Sequence, residues 1–424
     1  MTFANEMAGF DNILVSKSPK LDLQLYRKIA YDHLGTEKKV SQFWRFQEME
    51  TARLLLLTLD NPNDLIRHFK VQAGALILKI TYGYTIGHGK TDPLVALAED
   101  MVSNFSLATL PGAWLVDSLP WLKYLPSWFP GTSFKKTARA WKKVNESVAE
   151  MPFNFTLKAM ESGKENDCFV SKTIRKYLED NPTESAPPAD YMRALKWTAA
   201  SLYSGGTDTS TSTLACFVLA MTMYPHVQSR AQKEIDDVIG SGRLPALADR
   251  SKLPYVDAIA KEALRWYPVV PMGFPHTVDE DIEHSGYLFP KGSMLIPGLK
   301  YFAHDAEVYH DPSSFNPERF LEPRLEPSLN SAFGFGRRVC PGRHLADASI
   351  FVVIAQLLAT FTINAREGNE TAFLHKREPE GTSGIISYPV AFPFAIAPRS
   401  TLHEQLVRQV AATFDWTKDD SALL

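Results

Sequence analysis

Apolar residues recur at helical spacing along most of the chain. Within Phe43–Leu59, Phe46, Met49, Ala52, Leu55 and Leu56 mark one face. The first twenty residues carry no such period and read as irregular, with helical patterning starting near Leu21. Asn61, Pro62 and Asn63 break the pattern and Asp64–Ile80 resumes it. Further helices are predicted over Pro93–Leu110, Lys135–Met160 (with a basic face), part of Glu161–Pro188, Ala189–Tyr224, Pro225–Gly240 and Val256–Trp266. The apolar run Leu345–Ile363 reads as a buried helix that includes Asp347. Strand signals are few: Val269–Phe274, which leaves a proline turn, Tyr287–Met294 around Pro290–Lys291–Gly292, and a hairpin over Gly381–Pro398 with its tip at Ser383–Ser387. Residues 401–424 form an amphipathic tail. The pattern predicts one mainly α domain over 1–424 with small β-sheets.

Composition narrows the function classes. A net charge of −3 and a pI near 6.4 offer nucleic acid no electrostatic footing. Cys168, Cys216 and Cys340 are too widely spaced for a disulfide framework or a zinc pair, which points to a reducing compartment. The sequons at Asn104, Asn145, Asn154 and Asn369 then read as chance matches. No secretory signal opens the chain, and no uninterrupted apolar stretch reaches the ~20 residues of a membrane span. Pro111–Pro130 is rich in aromatic residues and proline (Trp114, Trp121, Trp128); such a segment packs as a loop or touches a bilayer. Gly83–Thr91 has the look of a phosphate loop, but its glycine spacing is one residue too long and a helix precedes it, so it reads as a connection.

Phe333–Ala346, FGFGRRVCPGRHLA, sets Cys340 among glycines and arginines just before a helix. Gly334, Gly336 and Gly342 permit tight turns and close backbone approach to a flat ligand. A helix N-terminus favours a thiolate. Pro341 has no N–H, so hydrogen bonds to the sulfur must come from Gly342, Arg343 or beyond. A sole cysteine thiolate on haem iron suits O–O cleavage; a lone cysteine is otherwise a small buried hydrophobe. Upstream, Ser204–Thr213 (SGGTDTSTST) is unfavourable in a helix centre, where each glycine costs ~1 kcal/mol against alanine. Close helix packing would select such residues; so would a local distortion opening a groove for a ligand. Glu262 and Arg265 sit at i, i+3, a spacing that carries little weight alone.

Together these segments resemble the cytochrome P-450 superfamily. FGFGRRVCPG is similar to its haem signature F-x-x-G-x-R-x-C-x-G, Gly205–Ser210 to A/G-G-x-D/E-T-T/S, KEALR to E-x-x-R, and Pro317–Phe320 to P-E-R-F. The likeness runs from about Leu21 to Ser400 and is nearest to fungal secondary-metabolism members of the O-methylsterigmatocystin-oxidoreductase type. The resemblance implies heme b held by Cys340, with Phe333 and Gly342 in the cofactor loop and Gly205 facing the haem. Arg27, His276 and Arg338 would serve the propionates. Asp208 and Thr209 would relay protons, and Glu262, Arg265 and Arg319 would form a buried ion cluster supporting the loop. Ala199, Leu202, Val269, Val270, Met272, Phe274, Ile385 and Ile386 would line an apolar pocket for a terpenoid- or polyketide-like substrate.

The implied reaction inserts one atom of O₂ into an apolar molecule. The chain has no G-x-G-x-x-G unit, so electrons would come from NADPH through an NADPH–cytochrome reductase docked near Arg337 and Arg343. A monomer at the cytosolic face of the endoplasmic reticulum is expected from the family. The family's N-terminal anchor, proline hinge and first strands have no counterpart here, and Leu23 stands where the early W-x-x-x-R motif has tryptophan. The reading therefore expects a truncated, weakly haem-binding chain that is not firmly anchored in membrane. A haem-thiolate dehydratase or isomerase, and a non-catalytic product of an incomplete gene model, stay open as alternatives.

Overall fold

A computed structural model describes residues 1–17, 21–87, 92–164, 167–368 and 378–424. The helices are α1 (Leu21–Leu34), α2 (Glu37–Val40), α3 (Trp44–Asp60), α4 (Leu65–Tyr82), α5 (Pro93–Ala108), α6 (Leu115–Ser118) and α7 (Ser133–Glu161). They continue with α8 (Phe169–Asp180), α9 (Ala189–Met223), α10 (Pro225–Val238), α11 (Pro254–Trp266), α12 (Leu299–Ala303), α13 (Arg343–Thr360) and α14 (Thr401–Ala411). Local chemistry sets the ends. Asp92 accepts from Leu94 N–H at 2.8 Å ahead of Pro93 at the first position of α5. Gly240, at φ +77°, sends its N–H back to Ile235 O and closes α10.

The long helix α9 organises the interior. Its first half packs with α4, α5 and α7 around Phe10, Leu78, Tyr82 and Tyr203; its second half joins α3, α11 and α13 around Phe217, Trp266 and Phe351. Three two-stranded antiparallel sheets lie outside this core: β1 (His276–Thr277) with β4 (Met294–Leu295), β2 (Ile282–His284) with β3 (Tyr287–Phe289), and β5 (Phe361–Ala365) with β6 (Phe394–Pro398). Among the described residues α13 alone has the length and apolarity to cross a membrane, and 78% of it is buried inside the protein.

Several expectations from the pattern change. The N-terminal residues are ordered core: Phe3 and Phe10 are fully buried, Phe3 stacks on Trp114 at 3.6 Å, and Asn145 Nδ2 donates to Ala8 O at 2.7 Å. Burial also makes Asn145 a poor sequon, while Asn369 and residues 88–91 of the Gly83–Thr91 stretch lie outside the described residues. Val269–Phe274 forms no strand, because Gly273 turns at φ +63° and a side chain there would strike Pro297. The Gly381–Pro398 hairpin shrinks to one bridge, Gly381 to Pro389, since Phe394–Pro398 pairs with β5 instead. The tail is docked: α14 packs on α3, Asp420 exchanges backbone and side-chain hydrogen bonds with Thr85, and Arg53 lies over the Trp416 ring.

One half-buried histidine makes the fold acid-sensitive. His33 packs edge-on against Phe169, and burial holds its pKa down to about 4. Between the ordinary value near 6.5 and that value the unfolded chain binds a proton the folded chain refuses, so stability is lost as pH falls. His33→Gln is expected to reduce the loss between pH 7 and pH 5 by about 1–2 kcal/mol, read from urea midpoints. Identical pH dependence in the two proteins would acquit His33.

Candidate functional site

The cysteine loop forms before α13. Cys340 N–H donates to Phe333 O at 2.7 Å, which folds the loop back on itself, and Gly334 and Gly336 take the positive φ values, +81° and +49°, that this path needs. Gly342 caps α13, and its N–H donates to the Cys340 sulfur. Burial pushes the thiol up from its ordinary range, while that N–H and the charges of Arg27 and Arg343 pull it down. A metal would complete the deprotonation.

Two guanidiniums flank this loop. Arg27 on α1 donates to Val339 O at 2.9 Å, and Arg338 donates to Lys17 O at 2.6 Å. Burial lowers both from the ordinary arginine value, and Arg27 depresses Arg338 further, so the pair repel each other. Among the described residues neither forms an ion pair. Two half-buried cations with only carbonyl partners fit a dianionic ligand edge, and a thiol with a single donor at its sulfur fits an iron ligand. The donor set therefore suits haem. His276 lies on β1, opposite Leu295, and is exposed.

The centre of α9 divides its two glycines between two roles. A side chain at Gly206 would press on Ile77 of α4 at 3.3 Å, so this glycine serves close packing; at Gly205 there is nothing within 4 Å. The helix α9 is continuous through this stretch. The opening at Gly205 comes from the missing side chain. Thr209 Oγ1 donates to Gly205 O at 2.8 Å, and Ser204, Thr207 and Thr211 back-bond in the same way, which satisfies hydroxyls that would otherwise disrupt the helix. Asp208, the residue before Thr209, has partners from outside α9. Its carboxylate accepts from the Tyr388 hydroxyl and stands 3.6 Å from Lys70 Nζ.

Of the pocket positions, Ala199 is completely enclosed and Leu202 nearly so, so neither offers a ligand much surface; both belong to the core beside α1 and α7. Val269, Val270, Phe274, Ile385 and Ile386 are half-buried and Met272 is exposed. Ser387, the last residue of the tip, ties this region together: its N–H donates to Val269 O at 2.8 Å.

Glu262, Arg265 and Arg319 are all fully buried and meet in one cluster. Arg265 makes a two-pronged pair with Glu262, 2.8 Å at each prong, and Arg319 Nε reaches the same carboxylate at 3.1 Å. The two guanidiniums also donate to the backbone oxygens of Ala303, Pro312, Ser314, His310 and Asp311. Burial alone would lower Arg319, but Glu262 and Glu326 raise it. Glu326, 2.6 Å from Arg319, went unnoticed in the sequence, as did Lys70 and Tyr388, because nothing local marks their partners.

The cytochrome P-450 family model matches residues 61–384. A cytochrome P-450 monooxygenase of Gibberella zeae is 41% identical across 100% of this chain and 80% of its own length. A multifunctional cytochrome P-450 monooxygenase of Aspergillus fumigatus is 42% identical over 96% of this chain and 76% of its own. O-methylsterigmatocystin oxidoreductase of Aspergillus flavus is 37% identical over 98% and 77%. A zebra fish cytochrome P-450 solved with progesterone shares the fold at a TM-score of 0.71 and 21% identity, covering 94% of this chain and 87% of that one.

Proposed function

This chain belongs to the cytochrome P-450 family, and from that premise we propose how its own residues serve a haem-dependent monooxygenase. Haem, when bound, supplies the reductive cleavage of O₂: one atom enters the substrate, the other leaves as water, and NADPH with one proton balances the reaction. Cys340 would hold the iron through its sulfur, with Gly342 N–H limiting how much charge that sulfur donates. Arg27 and Arg338 hold the propionates. The two half-buried guanidiniums beside a single thiol, each hydrogen-bonded only to a backbone carbonyl, are the observation that carries the reading. It is tested by supplying NADPH, NADPH–cytochrome reductase and isotopically labelled O₂ with apolar terpenoid- and polyketide-like compounds. One labelled atom per product supports a monooxygenase; turnover without label or NADPH would mean a dehydratase or isomerase.

Thr209 presents a hydroxyl at the free surface beside Gly205, and Asp208 is the adjacent acid, so the pair can hold and pass protons there. An isomerase has little use for them. Thr209→Ala is expected to keep haem while product per NADPH falls about tenfold or more, the remainder appearing as peroxide. Unchanged coupling would remove Thr209 from the mechanism.

The reductase docks near Arg337 and Arg343, both exposed beside the cysteine loop. The chain works as a monomer at the cytosolic face of the endoplasmic reticulum. Trp128 and Tyr124, about four-fifths exposed, stand with Trp121 and Phe129 as an aromatic patch suited to a membrane interface.

A further inference from the structure

Tyr388 does something no pattern in the sequence assigns. Its hydroxyl contacts Asp208 twice, at the carboxylate Oδ1 and at the backbone O, 2.9 Å away. One helical turn on, Ser212 Oγ donates to Ser387 O at 2.6 Å. Two neighbouring hairpin residues are thus fastened to one face of α9. The hairpin base is held as well: Tyr388 N–H donates to Thr382 Oγ1 at 3.0 Å, Thr382 N–H returns to Tyr388 O at 2.8 Å, and Tyr267 Oη contacts Ser387 Oγ at 2.5 Å. Gly381 is packed so closely that a side chain there would overlap Tyr267 Oη. Ile385 and Ile386 project from this braced base with part of their surface free, and Gly384 in the turn between them and Gly381 takes φ +126°.

The other groups facing Asp208 are Lys70 of α4, itself 3.9 Å from Glu99 of α5. Asp208 is 14% exposed, Lys70 30% and Glu99 41%, so this chain of charges leads from the acid outward to water. Tyr388 is the neutral donor among them and the one borne by the hairpin. Burial, with Asp208 next to it, raises its phenol well above the ordinary value, so it stays a donor.

We infer that Tyr388 is a positioning residue that links the substrate-facing tip at Ile385–Ile386 to Asp208, so that filling the pocket sets where the relay acid lies. This rests on the reading of Asp208 and Thr209 as the proton relay. A displacement of the tip is passed through the two-way pairing of Tyr388 with Thr382 to the phenol, and the phenol carries Asp208 with it. A pocket without substrate leaves the acid turned towards Lys70 and Glu99.

The test uses the haem-loaded full chain, with clotrimazole as a bulky apolar probe. Amide hydrogen exchange is followed over 382–390 and over 205–209. In the unmodified protein clotrimazole is expected to slow exchange in both segments. In Tyr388→Phe it slows the tip alone, and the resting exchange of 382–390 rises about tenfold, as expected for losing one hydrogen bond to a charged group. With NADPH and reductase, Tyr388→Phe also releases a larger share of NADPH electrons as peroxide. Ser212→Ala, which loosens the same hairpin without touching Asp208, leaves that share unchanged. Equal peroxide release from the two variants, or a clotrimazole response in 205–209 that survives in Tyr388→Phe, overturns the inference. Retained coupling in Thr209→Ala with loss of the clotrimazole response in Tyr388→Phe would sink the relay reading and leave the linkage standing.

Discussion

Cys340→Ser is expected to abolish the thiolate-type Soret band of the reduced carbon-monoxide complex. That band arises from sulfur donating charge to the position across the haem, and an alcohol oxygen cannot supply it. The loop itself should survive the change, because the bond that folds it is between the backbone N–H of residue 340 and Phe333 O. Serine keeps both atoms. The Arg27–Arg338 pair is also intact, so haem should still enter the protein, held by its carboxylates, with a spectrum lacking the thiolate signature. Haem content is measured beside the spectrum to separate loss of ligand from loss of cofactor. A thiolate-type band in the variant would show that Cys340 is not the ligand.

Glu262→Gln is expected to destabilise the fold by about 3–5 kcal/mol, as breaking a buried ion pair at one partner does. The carboxylate accepts from Arg265 at both oxygens and from Arg319, and also takes Asn316 N–H at 2.9 Å. An amide offers one oxygen and turns its NH₂ towards a guanidinium. Arg265 is then left charged and fully buried without its carboxylate partner, whereas Arg319 keeps Glu326. Against a total stability of about 5–15 kcal/mol the loss is large. It should appear as a lower urea midpoint and as faster haem loss, since α11 packs directly on α13 below the cysteine loop. A midpoint within experimental error of the unmodified chain would mean that water or other donors satisfy the cluster. Glu326→Gln is the smaller perturbation, because its carboxylate is partly exposed.

The comparison of sequence and structure follows the range of the interactions involved. Cys340, Gly336, Arg338 and Gly342 lie within one loop, so their spacing encodes the loop's path and its chemistry directly, and the mainly helical pattern with small sheets is equally local. Glu262 and Arg265 share a helix face one turn apart, and that proximity is legible in sequence once Pro317–Phe320 supplies the third member. Pairings across the chain had no local signal. Phe394–Pro398 has the pattern of a hairpin strand and no means of showing that it prefers β5 to residues near Gly381. The N-terminal residues lack a period because they bury their apolar groups as single turns, Phe3 against Trp114 and Phe10 against Phe105. Gly205 and Gly206 are identical as letters, and α4 alone makes one a packing contact and the other an opening. Ala199 shares the helix and the apolar character of a pocket wall, yet the neighbouring helices close over it. The motif is what puts Asp208 forward as a relay acid; that its carboxylate meets Tyr388 and Lys70, from a hairpin and a helix far away in sequence, was decided only when the chain folded. Local covalent order is enough to specify turns, helix faces and a ligand loop, whereas the partner of a buried polar group is chosen by which surfaces the packed core brings together.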